Sequence, residues 1–102
     1  MYKGTTPTYS LTFPDGIDFS PVNVYVTFAK SNRQVILTKE NDDLDIQQNV
    51  INVFLTQEET LSLPLGCVIQ VNWTYLENGV TKRACSDIVG IPVRENLVNE
   101  VL

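Results

Sequence analysis

The stretch that decides the fold is residues 67–85, which read CVIQVNWTYLENGVTKRAC. Its centre, Glu77-Asn78-Gly79-Val80, predicts a β-hairpin, because Asn-Gly readily supplies the two positive φ angles of a type I′ turn. With Asn78-Gly79 as a two-residue loop, Trp73 faces Ala84 across the ladder. Trp73 then shares a face with apolar neighbours, and we expect it to anchor the core. These neighbours are Ile69, Val71, Ala84 and Ile88.

The same register separates the two cysteines. Cys67 and Cys85 fall on opposite faces of the hairpin and about five residues apart along it, which is roughly 16 Å at strand rise. A disulfide needs Cα atoms within about 7 Å. We therefore expect two free thiols and a protein made in a reducing cytoplasm. Continued past Ala84, the register pairs Val71 with Ser86, Ile69 with Ile88 and Cys67 with Gly90.

Further segments of the chain carry strand patterning. The clearest is Val22–Ala29, where apolar residues alternate with polar ones as in a half-buried strand. The polar, acidic stretch Glu40–Gln48 is expected to be a loop. The predicted strands are Tyr9–Phe13, Val22–Ala29, Gln34–Lys39, Asn49–Leu55, Val68–Leu76 and Val80 to about Val93.

One helical signal interrupts the strands. Thr56 and Glu59 fit a capping box, and Pro64 stops the helix within about two turns. Short strands joined by turns predict an all-β protein. We therefore expect a single antiparallel β-sandwich domain over residues 1–102, with one short helical turn near residues 57–62.

The composition excludes several functions. The chain has no histidine, so Ser-His-Asp and Cys-His catalysis and imidazole zinc ligation are excluded. Its net charge of −5 argues against nucleic acid as a partner. No apolar run exceeds three residues, so we expect no membrane span and no signal peptide.

No set of residues predicts a catalytic, metal or cofactor site. The acidic run that begins at Asn41 fails the calcium-loop pattern, since its sixth position is Ile46 and its twelfth is Asn52. Cys85 stands beside Ser86 and Asp87, but neighbouring strand residues point to opposite faces and no histidine is available as base.

Outward-facing apolar residues are the better candidates for a functional surface. Val50 and Phe54 oppose the inward residues of their strand, and Tyr25 does the same in the strand Val22–Ala29. A strand that is apolar on both faces is covered by its own tail or by a partner. The candidate interface residues are Tyr25, Val50 and Phe54, together with Leu97, Val98, Val101 and Leu102 near the end of the chain.

Four stretches carry a resemblance to a known group of proteins: Tyr2–Thr8, Val24–Ala29, Leu55–Leu61 and Ser86–Val89. The chain resembles small, mostly uncharacterised phage and prophage proteins, similar in pattern to the immunoglobulin-like N-terminal module of phage baseplate upper proteins. The resemblance implies an immunoglobulin-like sandwich that acts in a phage tail, baseplate or connector. Its partners would be other virion proteins or further copies of itself, first in the bacterial cytoplasm and then in the virion. The loop Ser31-Asn32-Arg33 departs from the Asn-Gly that relatives often carry there.

Two other functions stay open. A ligand- or carbohydrate-binding sandwich needs exposed aromatic residues gathered on one face or at one end. An enzyme would have to use unusual carboxylate or lone-thiol chemistry. The aromatic candidates for the binding role are Tyr2, Tyr9, Tyr25 and Tyr75.

Overall fold

The computed structural model describes all 102 residues and shows two antiparallel sheets packed face to face. One sheet has three strands in the order β1-β5-β4, and the other runs β3-β2-β6-β7, with the short β8 also paired to β6. The strands are β1 (Thr8–Thr12), β2 (Asn23–Lys30), β3 (Val35–Glu40), β4 (Leu44–Gln47), β5 (Val50–Phe54), β6 (Cys67–Glu77), β7 (Val80–Cys85) and β8 (Val89–Gly90). A helix α1 (Gln57–Ser62) and a 3₁₀ turn (Asn41–Asp43) complete the elements.

The strand order is that of an immunoglobulin-like sandwich. If β1 takes the place of immunoglobulin strand B, the two sheets read B-E-D and C′-C-F-G. The predicted all-β sandwich is therefore confirmed, and no helix in it has the length and apolar character needed to cross a bilayer.

The core lies between the inner faces of the two sheets. Alternating residues of β2, β5 and β6 point inward, because successive side chains of a strand lie on opposite faces. The β2 alternation read from the sequence is confirmed, with Val24, Val26 and Phe28 fully buried. They pack against Ile51 and Val53 of β5 and against Cys67, Ile69 and Val71 of β6.

An aromatic cluster closes the core at the end where β2 begins. Phe19, in the loop before β2, is fully buried, and its ring meets Phe13 at 4.8 Å and Trp73 at 5.1 Å, edge to face. Such pairs contribute beyond the area they bury. Trp73 is half-buried and packs against the core, as its position in the hairpin indicates.

The β6–β7 hairpin follows the predicted register around its turn. Glu77 faces Val80, Trp73 faces Ala84, and Asn78 and Gly79 have φ values of 53° and 76°. Both cysteines are free, with Cys67 buried and Cys85 exposed, so the two predicted thiols are confirmed.

Beyond Cys85 the predicted register is wrong by one residue. Ile69 pairs with Val89 and Val68 with Gly90, whereas the sequence pattern pairs Ile69 with Ile88 and Cys67 with Gly90. Ser86 causes the shift, because its Oγ accepts the Val71 main-chain N–H at 3.0 Å and its own N–H donates to the Val71 carbonyl at 2.8 Å. The register shift places one extra residue between β7 and β8. Ile88 therefore points outward and is exposed, whereas the predicted register places it in the core.

The expected loop Glu40–Gln48 is also wrong in part. It contains a 3₁₀ turn and the strand β4, which pairs with β5. Leu44 and Ile46 are half-buried, while the alternate residues Asp45 and Gln47 are exposed. The acidic residues of this stretch hide that alternation in the sequence.

The predicted helical turn is confirmed as α1. The Thr56 Oγ1 accepts the Glu59 N–H at 3.2 Å, and the Glu59 carboxylate accepts the Thr56 N–H at 2.9 Å. The helix ends at Ser62, two residues before Pro64.

Candidate interaction surfaces

The structure divides the predicted interface residues among three places. Tyr25 lies on the outer face of the five-stranded sheet, whereas Val50 and Phe54 lie on the outer face of the three-stranded sheet. Outer faces of two packed sheets point in opposite directions, so these residues do not form one surface. Phe54 is 52% exposed, and Val50 and Tyr25 are half-buried.

The remaining predicted residues form the tail, which we define as Leu97–Leu102. Its four apolar side chains are all exposed. Before the tail begins, the Asn96 side chain donates to the Lys3 carbonyl at 3.0 Å. At its far end, the Gln57 side chain accepts the Leu102 N–H at 2.7 Å and donates to the Leu102 carbonyl at 3.3 Å.

Between those two attachments the tail backbone is almost unpaired. The Val98 N–H donates to the Asn96 side chain at 3.1 Å. No other main-chain N–H or carbonyl of Leu97–Val101 has a hydrogen-bond partner within the chain. The tail thus combines exposed apolar side chains with free backbone groups, which are the two features of an unpaired edge strand.

A second unpaired feature is the arm, which we define as Tyr75–Lys82, the end of the β6–β7 hairpin. The last residue of β6 that pairs with β2 is Thr74, opposite Asn23, and β6 continues past it to Glu77. The arm is therefore only two strands wide. Its apolar residues Leu76 and Val80 are 75% and 57% exposed.

The chain before β2 explains why the arm is uncovered. It turns between Phe19 and Val22, where the Val22 N–H donates to the Phe19 carbonyl at 3.3 Å. Pro21, within that turn, has no N–H to extend the ladder. The edge of β6 at Tyr75–Glu77 on the β2 side consequently has no strand partner.

A groove of about 600 Å³ lies beside this open edge. This volume lies in the range of ligand-binding clefts. Apolar side chains from the arm and from the segment before β2 contribute to its wall. The residues that line it are Pro21, Val22, Asn23, Thr74, Tyr75, Leu76 and Thr81.

The arm and the tail lie at opposite ends of the molecule, which measures 52 × 27 × 20 Å. Strand β6 starts at Cys67, just after α1, and its eleven residues end inside the arm at Glu77. At strand rise this is roughly 37 Å. The tail is attached to α1 at Gln57, so it lies at the end where β6 begins.

Helix α1 connects three segments of the chain: the residues before β1, the tail and strand β3. Its Thr60 hydroxyl donates to the Thr5 carbonyl at 2.7 Å, and its Gln57 binds Leu102. The Glu59 carboxylate lies 2.7 Å from the ammonium of Lys39 on β3, and only 9% of Lys39 is exposed. Burial alone raises the pKa of Glu59, but hydrogen bonds from Lys39 and Thr56 and the Lys39 charge outweigh it and hold this pKa below its ordinary value.

The other polar groups considered from the sequence serve structural roles. The Asn41 side chain accepts the Val24 N–H at 2.7 Å and donates to the Val22 carbonyl at 2.8 Å, so it fixes the start of β2. The Ser86 hydroxyl is engaged by the Val71 amide and donates to the Asp87 carbonyl at 2.9 Å.

The four tyrosines are not gathered on one face or at one end. Tyr9 is half-buried against the core, and burial raises its pKa. Tyr25 lies on the outer face of the five-stranded sheet, Tyr75 on the arm, and Tyr2 at the opposite end, bridged to Arg94. This distribution does not favour the carbohydrate-binding alternative.

Sequence reasoning missed the arm as a surface, although it found the hairpin. The available signal was the difference in strand length, since Pro21 limits how far β2 can extend while the alternation of β6 continues to the Asn-Gly turn.

No family model matches this chain, and neither the curated proteins nor the solved structures contain a match to it.

Proposed function

We propose that this protein is a non-enzymatic structural or assembly module of a phage or prophage particle, and that it acts through protein–protein contacts in a tail, baseplate or connector. Its partners are other virion proteins or further copies of the chain. It is made in the bacterial cytoplasm and then built into the virion. The phage assignment rests on the sequence resemblance.

The observation that supports the contact role is the presence of two surfaces that lack partners within the chain. The tail exposes apolar side chains on a backbone without hydrogen-bond partners. The arm exposes Leu76 and Val80 beside an open strand edge. Exposed strand edges with apolar side chains are the surfaces that other strands pair with.

The placement of the chemistry-bearing side chains agrees with this role. Glu59 caps α1 and pairs with Lys39, Asn41 fixes β2, and Ser86 sets the register of the β6 ladder. Each is used to hold the sandwich together.

The test is deletion of the gene in a bacterium that carries the phage, followed by electron microscopy of the particles after induction. We expect incomplete particles that lack a tail or baseplate part. We expect the wild-type gene and a Val35→Asp control to restore assembly, because Val35 is exposed on β3, outside the arm and the tail. Normal, infectious particles from the deletion strain would overturn the proposal.

A further inference from the structure

We infer that the tail of one copy docks alongside the arm of a second copy, so that the chains associate head to tail. This inference deepens the proposed function by naming the partner, and it rests on that function in taking the chain to work by protein contact. The occupant of the groove beside the arm is then residues Leu97–Val101 of another copy, added to the sheet as an extended strand.

The arm supplies the acceptor side of this contact. Strand β2 stops at Asn23, opposite Thr74, so the main-chain N–H and carbonyl of Leu76, which point away from β7, have no strand partner on that edge. An added strand would continue the position of β2 along β6. Its side chains would meet Leu76 and Val22 in the groove, as in strand addition to an exposed sheet edge.

The tail supplies a segment that fits this position. Its backbone between Leu97 and Val101 has free donors and acceptors, and it contains no proline. Six extended residues span roughly 20 Å, which is enough to run past the three open residues of β6. Docking exchanges the two bonds between Leu102 and Gln57 for ladder bonds along β6.

Charge favours the same pairing. The tail carries Glu100 and no basic residue, whereas the end of the hairpin carries Lys82 and Arg83 against one acidic residue, Glu77. Lys82 has one acidic neighbour, an exposed contact of 3.4 Å to Glu77. Pairing of two β7 edges would instead set these basic residues against their own copies, which is unfavourable.

The contact has to be between molecules, because a tail cannot reach its own arm. Asn96 is fixed to Lys3 at the end where β6 begins, and Tyr75 stands eight residues, roughly 27 Å, beyond Cys67. The six residues of the tail span less than that. A contact between two different surfaces repeats from copy to copy, and closes into a ring or grows into a chain.

Sedimentation velocity on the full chain and on variants of the arm, the tail and a control site tests this inference. Leu76→Asp disables the arm and Val101→Asp disables the tail. If an aspartate variant fails to fold, the milder substitutions Leu76→Thr and Val101→Ser repeat the test. Val35→Asp is the matched control, since Val35 is as exposed as Val80 but lies on β3. We expect the wild type and the control to associate as concentration rises. Each disabled variant alone should associate at least about tenfold more weakly.

The equimolar mixture of Leu76→Asp and Val101→Asp is decisive. The first variant keeps a working tail and the second a working arm, so the mixture should form heterodimers and nothing larger. A mixture that stays monomeric would overturn the head-to-tail contact. Monomeric wild type at every concentration, or loss of association in one variant only, would also overturn it. The two proposals can fail separately. If the wild type is monomeric but the deletion strain fails to assemble particles, the proposed function stands and the head-to-tail contact does not. If the wild type forms oligomers but the deletion strain assembles normal particles, the contact stands and the proposed function does not.

Discussion

The ion pair between Lys39 and Glu59 ties α1 to β3, and replacing Glu59 by glutamine tests how much of the stability depends on it. The Lys39 ammonium lies 2.8 and 2.7 Å from the two carboxylate oxygens and has no other hydrogen-bond acceptor. Glutamine can still accept the Thr56 N–H of the capping box. The substitution therefore removes the charge and keeps the cap.

The expected loss of stability follows from the burial of the two partners. Leaving a fully buried charge without its partner costs about 3–5 kcal/mol. Here the carboxylate side chain is 21% exposed, so solvent screens part of the interaction. We expect Glu59→Gln to lower the free energy of unfolding by about 1–3 kcal/mol, or roughly 4–8 °C in Tm for each kcal/mol.

The two partners should not be equivalent. Lys39→Met should cost less, because the carboxylate of Glu59 can turn toward water while an apolar side chain fills the site of Lys39. The double variant should recover part of the loss caused by Glu59→Gln alone. Glu77→Gln is the control, since its pair with Lys82 is about half exposed and should contribute less than about 0.5 kcal/mol.

Urea denaturation followed by Trp73 fluorescence and far-UV circular dichroism gives these values. Equal, small losses in Glu59→Gln and Glu77→Gln would refute the reasoning, and so would strictly additive effects of the two single variants at Lys39 and Glu59.

The pH dependence of stability tests the same ion pair by comparing the wild type with Glu59→Gln alone. The pKa of Glu59 is lowered in the folded protein, so its contribution to stability is complete above the pKa of the unfolded carboxyl. That contribution is lost as the pH falls through the lowered, folded-state pKa. Glu59→Gln should therefore lose less stability on acidification than the wild type, and parallel acid curves for the two would contradict this assignment.

Three further predictions concern the core, the turn and the thiols. Phe19→Ala should cost about 3–5 kcal/mol in a denaturation curve, because the ring is fully buried; a loss near zero would show that the loop before β2 is not part of the core. Gly79→Ala should lower the free energy of unfolding by about 1–2 kcal/mol, because the φ of Gly79 is +76°. Gly90→Ala is the control and should change the stability little, because a Cβ at Gly90 meets no atom within 4 Å. Equal effects of the two substitutions would argue against the type I′ turn. A thiol reagent should label Cys85 rapidly and Cys67 only on unfolding, since burial raises the pKa of the Cys67 thiol and hides it; equal labelling rates in the native protein would contradict this.

Features that depend on neighbouring residues in the chain could be predicted from the sequence. The Asn-Gly turn specifies the hairpin register next to it, and the capping box specifies α1, because each is decided within a few residues. The alternation in β2 identified its buried face for the same reason. These predictions needed no knowledge of the rest of the fold.

Features set by distant contacts could not be predicted in this way. The register of β8 depends on the hydroxyl of Ser86 binding the Val71 amide, which no periodicity reveals. Strand β4 was hidden because its exposed positions, Asp45 and Gln47, belong to a run of acidic and polar residues. Phe19 is buried by rings that come from elsewhere in the chain.

The candidate surface shows the same division. The outward position of Phe54 follows from the alternation in its strand, and the structure has both Phe54 and the tail exposed. Whether Tyr25 and Phe54 share a face depends on which sheet each strand joins, and they do not. The arm depends on where β2 ends relative to β6, which requires the pairing of the two strands.

Hydrogen–deuterium exchange of the chain, free in solution and within purified particles, tests the central claim most directly. Amides of Leu97–Val101 have almost no partners in the isolated protein and should exchange rapidly there. In the particle, these amides and that of Leu76 should become protected, because both segments gain strand partners. Fast exchange at both segments in the particle, or particles that do not contain the chain, would contradict the account.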